Sequence, residues 1–274
     1  MLNLDQKINF EKINNIVFGG AGFLGSHLVD ELLKKGENVI CIDDFSTGKQ
    51  NNIKHLSNNK NFFLINHDIT KKIYSKISID KIWLLACPAS PSAYLRQPLQ
   101  TIRTNYEGTL NVLELAVPSK SKILFTSSSE IYGLTSDNRQ DEIMPINLST
   151  SSPRACYSEG KRIAETLIST FSKVYDLEVR IARVFNTYGP RLDLYDGRVI
   201  SNFINQCLNK KKVTIYGDGS QTRSFCYVSD LINGLYQLML SNISQPINLG
   251  NDHEISISEL ADFIQNKLQT SLPY

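Results

Sequence analysis

A short apolar run, a glycine-rich turn and an amphipathic stretch follow one another near the start of this chain, and few folds accommodate that order. Asn15 to Phe18 has strand character. Gly19-Gly20-Ala21-Gly22-Phe23-Leu24-Gly25 comes next. From Gly22 to Lys35, Leu24, Leu28, Leu32 and Leu33 recur on one helical side. Small residues at Gly19, Gly22 and Gly25 permit a tight turn, and the helix N-terminus beyond it presents free N–H groups to a pyrophosphate. The same letters could serve close packing alone. What favours a dinucleotide is the next strand, Asn38 to Ile42, which ends at Asp43-Asp44. A carboxylate there can accept from both ribose hydroxyls and repels a 2′-phosphate, so NAD is expected rather than NADP.

The alternation continues along the chain. Strands are expected at Phe62–Ile65, Lys81–Leu85, Lys122–Phe125 and Val179–Arg183, and helices at Thr101–Ala116 and residues 158–175. Alternating strands and helices imply a parallel sheet covered on both faces, an α/β doubly wound (Rossmann) fold with functional residues at the carboxyl ends of the strands. The second half changes character: helices at 198–209, 229–240 and 256–268, and strands at Val213–Tyr216 and Ile247–Leu249. We expect an NAD-binding domain over residues 14–185 and a smaller substrate lobe over 186–274, interleaved with it. Residues 1–13 read as a polar lead-in.

Composition excludes several function classes. The net charge of +2 over 274 residues gives no basis for a nucleic-acid or membrane surface. The 5 cysteines form no CxxC pair and the 4 histidines lack ligand spacing, so neither a disulfide framework nor a metal site is expected. No apolar run reaches spanning length and no signal-peptide pattern opens the chain, so a cytoplasmic protein is expected.

The chemistry is concentrated in two segments. Tyr157 and Lys161 stand one helical turn apart in Tyr157-Ser158-Glu159-Gly160-Lys161. A lysine cation beside a phenol lowers its pKa, so the tyrosine can act as a base. Ser127-Ser128-Ser129-Glu130 ends the strand that starts at Lys122, where Ser128 could hydrogen-bond a substrate hydroxyl. Beside the glycine turn, these elements together point to hydride transfer at an alcohol carbon. Each has a plainer reading: a surface Tyr–Lys pair, or a serine turn.

Longer motifs join these segments: Gly19 to Val29, Ala86 to Pro91 (Ala-Cys-Pro-Ala-Ser-Pro), Thr104 to Asn111, Ser129 to Gly133, Pro153 to Arg162, Arg183 to Arg191, Asp196 to Phe203 and Tyr216 to Leu231. Through them the chain resembles the extended short-chain dehydrogenase/reductase family of nucleotide-sugar enzymes, over residues 14 to 268, and within it the branch that decarboxylates UDP-glucuronate. The resemblance implies a cofactor set of Gly19, Gly22, Phe23, Leu24, Gly25, Asp43, Asp44, Thr47, Gly48, Asp68, Ile69, Leu85 and Ala86, with Tyr157 and Lys161. Asp68 would either contact adenine or simply end its strand in solvent. It also implies catalytic roles for Ser128, Ser129, Glu130 and Arg223. Pro88, Ser90, Tyr94, Asn186, Arg198, Tyr216 and Arg223 would meet the sugar nucleotide, and a homodimer would form through helices around 101–116 and 158–175. Similar 4,6-dehydratases carry an Asp where Ser129 stands, and a serine cannot supply that acid. The rival readings are a dehydratase or 4-epimerase and, from another class, a non-catalytic NAD-binding regulator. Three departures from the family pattern stand out. Ser158 replaces an acidic residue, Pro118 should end its helix early, and the family continues for some tens of residues past Tyr274, so the substrate lobe is expected to be incomplete.

Overall fold

β-Branched and aromatic runs form the centre of the molecule. In the computed structural model, which describes residues 1–7, 12–133 and 140–274, these runs give seven strands. They are β1 (Ile13–Phe18), β2 (Val39–Asp43), β3 (Phe62–Asn66), β4 (Ile79–Leu84), β5 (Lys122–Ser128), β6 (Val179–Val184) and β7 (Ile247–Leu249). They pair in parallel in the order β7-β6-β5-β4-β1-β2-β3. The order reverses between β1 and β4, which opens a crevice beyond their carboxyl ends.

The pleat sorts side chains to two faces. Ile16 and Phe18 of β1, Ile40 and Ile42 of β2, and Ile82 and Leu84 of β4 pack beneath α4 (Thr109–Ala116) and α5 (Ala155–Tyr175). Val17, Val39, Cys41 and Trp83 face the other way, against α1 (Phe23–Lys34) and α7 (Val228–Leu240). A third cluster joins α6 (Val199–Leu208) and α8 (Ile257–Lys267) around Phe203, Val213 and Leu260. The second half thus contributes both to the main sheet, through β7 and α7, and to a core of its own.

Several local readings need correction. The lead-in is partly docked: Leu2–Asn3 pairs in parallel with Ile73–Tyr74, and Leu4 is buried in the main core. Two apolar residues in a polar stretch carry no periodicity from which this could be read. The expected strand at Val213–Tyr216 is absent. Val213 N–H donates to Pro273 O at 3.0 Å, and Thr214 N–H to the Gln206 side chain at 3.1 Å, so these amides are taken outside any ladder. The turn at Pro88–Pro91 leads into a short helix, α2 (Pro91–Arg96), capped by Ser90. The helix expected from Thr101 starts earlier, as α3 (Pro98–Arg103), and passes through a π-helical turn at Thr104–Gly108 into α4. It ends at Ala116, ahead of Pro118, as the proline requires.

One buried polar contact pins β1 to β4. Trp83 Nε1 donates to Asn15 Oδ1 at 2.9 Å, with both residues fully buried. Replacing Asn15 by Ala strands that indole N–H, and we expect urea unfolding to show a loss of about 1–3 kcal/mol. An unchanged midpoint would show that the contact contributes nothing.

Candidate active site

The glycine turn needs its glycines for two separate reasons. Gly19 has φ +80° and lies so close to the end of β4 that a Cβ would come within 2.8 Å of the Ala86 backbone. A Cβ on Gly25 would lie 2.0 Å from Gly19 O, so α1 could not close onto the turn. Gly22 caps α1 without a side-chain hydrogen bond. The first N–H groups of α1 therefore face the crevice with no capping side chain, which is the arrangement that binds a pyrophosphate.

Asp43 is buried at the end of β2 and accepts from Ala21 N–H and Phe45 N–H, each at 2.9 Å. A Cβ on Gly48 would lie 2.6 Å from its Oδ1, so the following loop can fold down over the carboxylate only with glycine there. Burial raises the Asp43 pKa, with the two backbone N–H groups opposing and Asp44 adding to the rise. Asp44 accepts from Ser46 within its own turn.

These residues open onto one cleft of about 1420 Å³. Its walls carry the glycine turn with Phe23 and Leu24; Asp43, Asp44, Thr47 and Gly48; Ile69, Leu85 and Ala86; Pro88, Ser90 and Tyr94; Ser128, Ser129 and Glu130; Tyr157 and Lys161; and Asn186, Arg198 and Arg223. Two expected residues are not on the wall. The Asp68 carboxylate is taken up by Thr70 N–H and Oγ1, at 2.9 and 2.8 Å, and so closes a turn. Tyr216 is 78% exposed.

Lys161 is buried, and its Nζ donates to Thr126 O at 2.9 Å while lying against the Phe125 and Tyr157 rings. Burial lowers its pKa. The Tyr157 phenol is raised well above its ordinary value, by burial first and by neighbouring Cys87 next. The Ser128 hydrogen bond and the Arg198 charge oppose the rise. The Lys161 ammonium is turned to the Thr126 carbonyl and to ring faces, and burial is the largest influence on the phenol.

Three groups in this neighbourhood escaped the sequence reading. Thr126 contributes only a carbonyl, which no residue type signals. Asn105, in the π-helical turn, donates from Nδ2 to Thr101 O at 2.9 Å and to Cys87 Sγ at 3.2 Å. A Cβ on Gly160 would lie 2.9 Å from that Nδ2, which explains a glycine between Tyr157 and Lys161. Arg154, one turn before Tyr157, sets NH1 3.0 Å from Glu130 Oε1.

The comparisons with known proteins bear on this geometry. The profile of the NAD dependent epimerase/dehydratase family matches residues 15–250. The chain belongs to that family. Its cofactor is NAD, and the open turn of α1, the buried Asp43 and the size of the cleft fit that group. The chain is 49% identical over 251 residues to UDP-glucuronic acid decarboxylase 1 of Danio rerio, covering 92% of this chain and 60% of that protein. It is 46% identical over 258 residues to UDP-glucuronic acid decarboxylase 3 of Arabidopsis thaliana, covering 94% of this chain and 75% of that one. Several of the curated relatives are thus spanned over only about 60% of their length. Among solved structures, UDP-glucuronic acid 4-epimerase from Bacillus cereus, in complex with UDP-glucuronic acid and NAD, superposes with a TM-score of 0.83 at 30% identity, covering 95% of this chain and 85% of that one. UDP-N-acetylglucosamine 4-epimerase from Methanobrevibacter ruminantium gives 0.86 at 29%, covering 96% and 84%.

Asp43→Asn should weaken NAD binding roughly tenfold or more by calorimetry, since a charge-assisted acceptor is lost. Because burial raises the pKa of Asp43, it protonates at a higher pH than an unperturbed aspartate. Wild-type affinity for NAD should therefore fall earlier than for such an aspartate as the pH is lowered, and this pH dependence should vanish in the variant.

Proposed function

We propose that this chain decarboxylates UDP-glucuronate to UDP-xylose with NAD retained in the cleft. The observation that carries the reading is the meeting of Tyr157, Lys161, Ser128 and Glu130 with the glycine turn on one cleft wall. The names of the relatives support the substrate.

Bound NAD supplies a hydride acceptor at the sugar's C4 and returns the hydride there at the end of the cycle. Tyr157 Oη takes the C4 hydroxyl proton, and Ser128, on the same cleft wall, holds the sugar oxygen. Lys161 Nζ lies against the Tyr157 ring, where its charged form would favour loss of the phenol proton. A ketone at C4 is β to the C6 carboxylate. The C5–C6 bond then breaks, CO₂ leaves, and the electron pair settles as an enolate over C5, C4 and the ketone oxygen. Glu130 handles the proton that C5 must regain, and Tyr157 returns its proton to the C4 oxygen. Nothing is oxidised or reduced overall. Ser129 lines the wall where a dehydratase would need a stronger acid.

The proposal extends to a cytoplasmic homodimer. Exposed Leu99, Ile102 and Tyr106 on the α3–α4 helix and Ile163 and Val174 on α5 support such a face. The 5 cysteines are free thiols, which suits a reducing compartment.

The test is NMR product analysis of the protein incubated with NAD and UDP-glucuronate. UDP-xylose is expected. UDP-galacturonate would make it a 4-epimerase, and no turnover with NAD bound would make it a non-catalytic binder. Tyr157→Phe should cut turnover by roughly 10²–10⁴-fold, measured with NAD at saturation.

A further inference from the structure

Behind the cleft wall lies a buried ionic group that the chemistry above does not use. Arg183 stands on β6 and is buried. All three of its guanidinium nitrogens are taken. Nε and NH2 donate to Glu165 Oε1 and Oε2 on α5, at 3.1 and 2.9 Å. NH1 donates to Tyr132 Oη and to Glu142 O, each at 3.0 Å. Tyr132 is fully buried, and its hydroxyl donates in turn to Asn248 Oδ1 of β7 at 2.7 Å. Asn248 N–H donates to Glu142 Oε1 at 2.7 Å, and its Nδ2 to Gln140 O at 2.9 Å. One guanidinium thus joins α5, β6, β7 and two loops. Desolvation offsets the attraction within a buried ion pair, so what this group can supply is one fixed geometry rather than stability.

What it fixes lies beside the reacting atoms. Tyr132 ends the helical turn Ser129–Tyr132, whose second residue is Glu130. The turn opens on Ser128 Oγ, which accepts from Glu130 N–H at 3.2 Å. It closes on Gly133 at φ +70°, where a Cβ would lie 1.8 Å from Asn147 O, and Asn147 N–H donates to Tyr132 O at 3.2 Å. Glu130 lines the cleft, whereas Tyr132 is anchored beneath it. Among the described residues, the Glu130 carboxylate is held by one exposed ion pair, with Arg154, and such a pair adds little. The aim of Glu130 therefore depends on its turn, and the turn depends on Tyr132 and Arg183.

We propose that Arg183 is a positioning residue for the return of the C5 proton: through Tyr132 it holds Glu130 where the enolate is protonated before the ketone escapes. The inference rests on the function proposed above. With Glu130 in place, C5 gains its proton, the hydride returns to C4, and UDP-xylose leaves. With the turn loosened, the enolate outlasts its residence in the cleft and takes its proton from water as it leaves. The product is then the UDP-4-ketopentose, and one reduced cofactor stays behind for each ketone released. A misplacement of the acid by about 1 Å is enough to slow its step and leave the earlier ones untouched.

NMR product analysis of the NAD-loaded full chain with UDP-glucuronate tests this in two variants, Tyr132→Phe, which removes one hydroxyl, and Arg183→Gln. The ratio of UDP-4-ketopentose to UDP-xylose should rise roughly threefold to tenfold in Tyr132→Phe and further in Arg183→Gln. The single-turnover rate of cofactor reduction, read by absorbance, should fall by less than about twofold. Arg183→Lys keeps the charge and should recover part of the UDP-xylose. Thermal melts and NAD calorimetry check the fold and the cofactor site of each variant, and if Arg183→Gln does not fold, Tyr132→Phe decides. An unchanged product ratio in folded Tyr132→Phe, or an equal loss of cofactor reduction and UDP-xylose formation, would overturn the role of Arg183 and leave the decarboxylase reading standing. A wild type that releases no CO₂ would overturn that reading, and this inference with it.

Discussion

The hydrogen bond from Lys161 to Thr126 O is the contact on which the rest of the site depends. It ties the middle of α5 to the carboxyl end of β5, where Ser128 and Glu130 follow directly. The two segments that carry the chemistry are far apart in sequence, and this bond fixes their register. It also takes one donor of a buried ammonium that would otherwise be without a partner there. Tyr157 then lies over the cleft with Tyr94 against one face, and Gly160 lets the π-helical turn approach from behind.

Burial sets the electrostatics of this arrangement. Tyr157 and Lys161 are both pushed toward their neutral forms, the phenol upward and the amine downward. A base that starts protonated in a dry site moves its proton only when the surrounding charges favour it. Ser128 and Arg198 already pull in that direction. The cofactor end follows the same rule: burial raises the Asp43 pKa, and two backbone N–H groups oppose that rise.

Much of this was legible in the sequence because backbone constraints leave marks there. A Cβ on Gly25 would come within 2.0 Å of Gly19 O, so a side chain cannot stand there, and the glycine spacing in the strand–turn–helix order reflects that. β1 and β2 are likewise visible as short continuous apolar runs, Ile16-Val17-Phe18 and Ile40-Cys41-Ile42, the mark of strands buried on both faces. What stayed hidden depends on groups without a residue signature. The Thr126 carbonyl is one. The docked Leu2 and Leu4 are another, because two residues cannot display a period. Val213–Tyr216 has strand composition but no ladder partner among the described residues, since a strand depends on its neighbour as much as on itself. Asp68 stood between two readings in the sequence, and its Oδ1 is taken up by the turn at Thr70.

The central claim is that one cleft removes hydrogen from C4, releases CO₂ from C6 and restores hydrogen to C4 within a single binding event. The most direct test is turnover of UDP-glucuronate deuterated at C4, with the product read by NMR and mass spectrometry. The account predicts UDP-xylose that keeps the deuterium at C4 and takes its new hydrogen at C5 from solvent. A product with solvent hydrogen at C4, or one in which the label has been diluted by a pool of free cofactor, would contradict it.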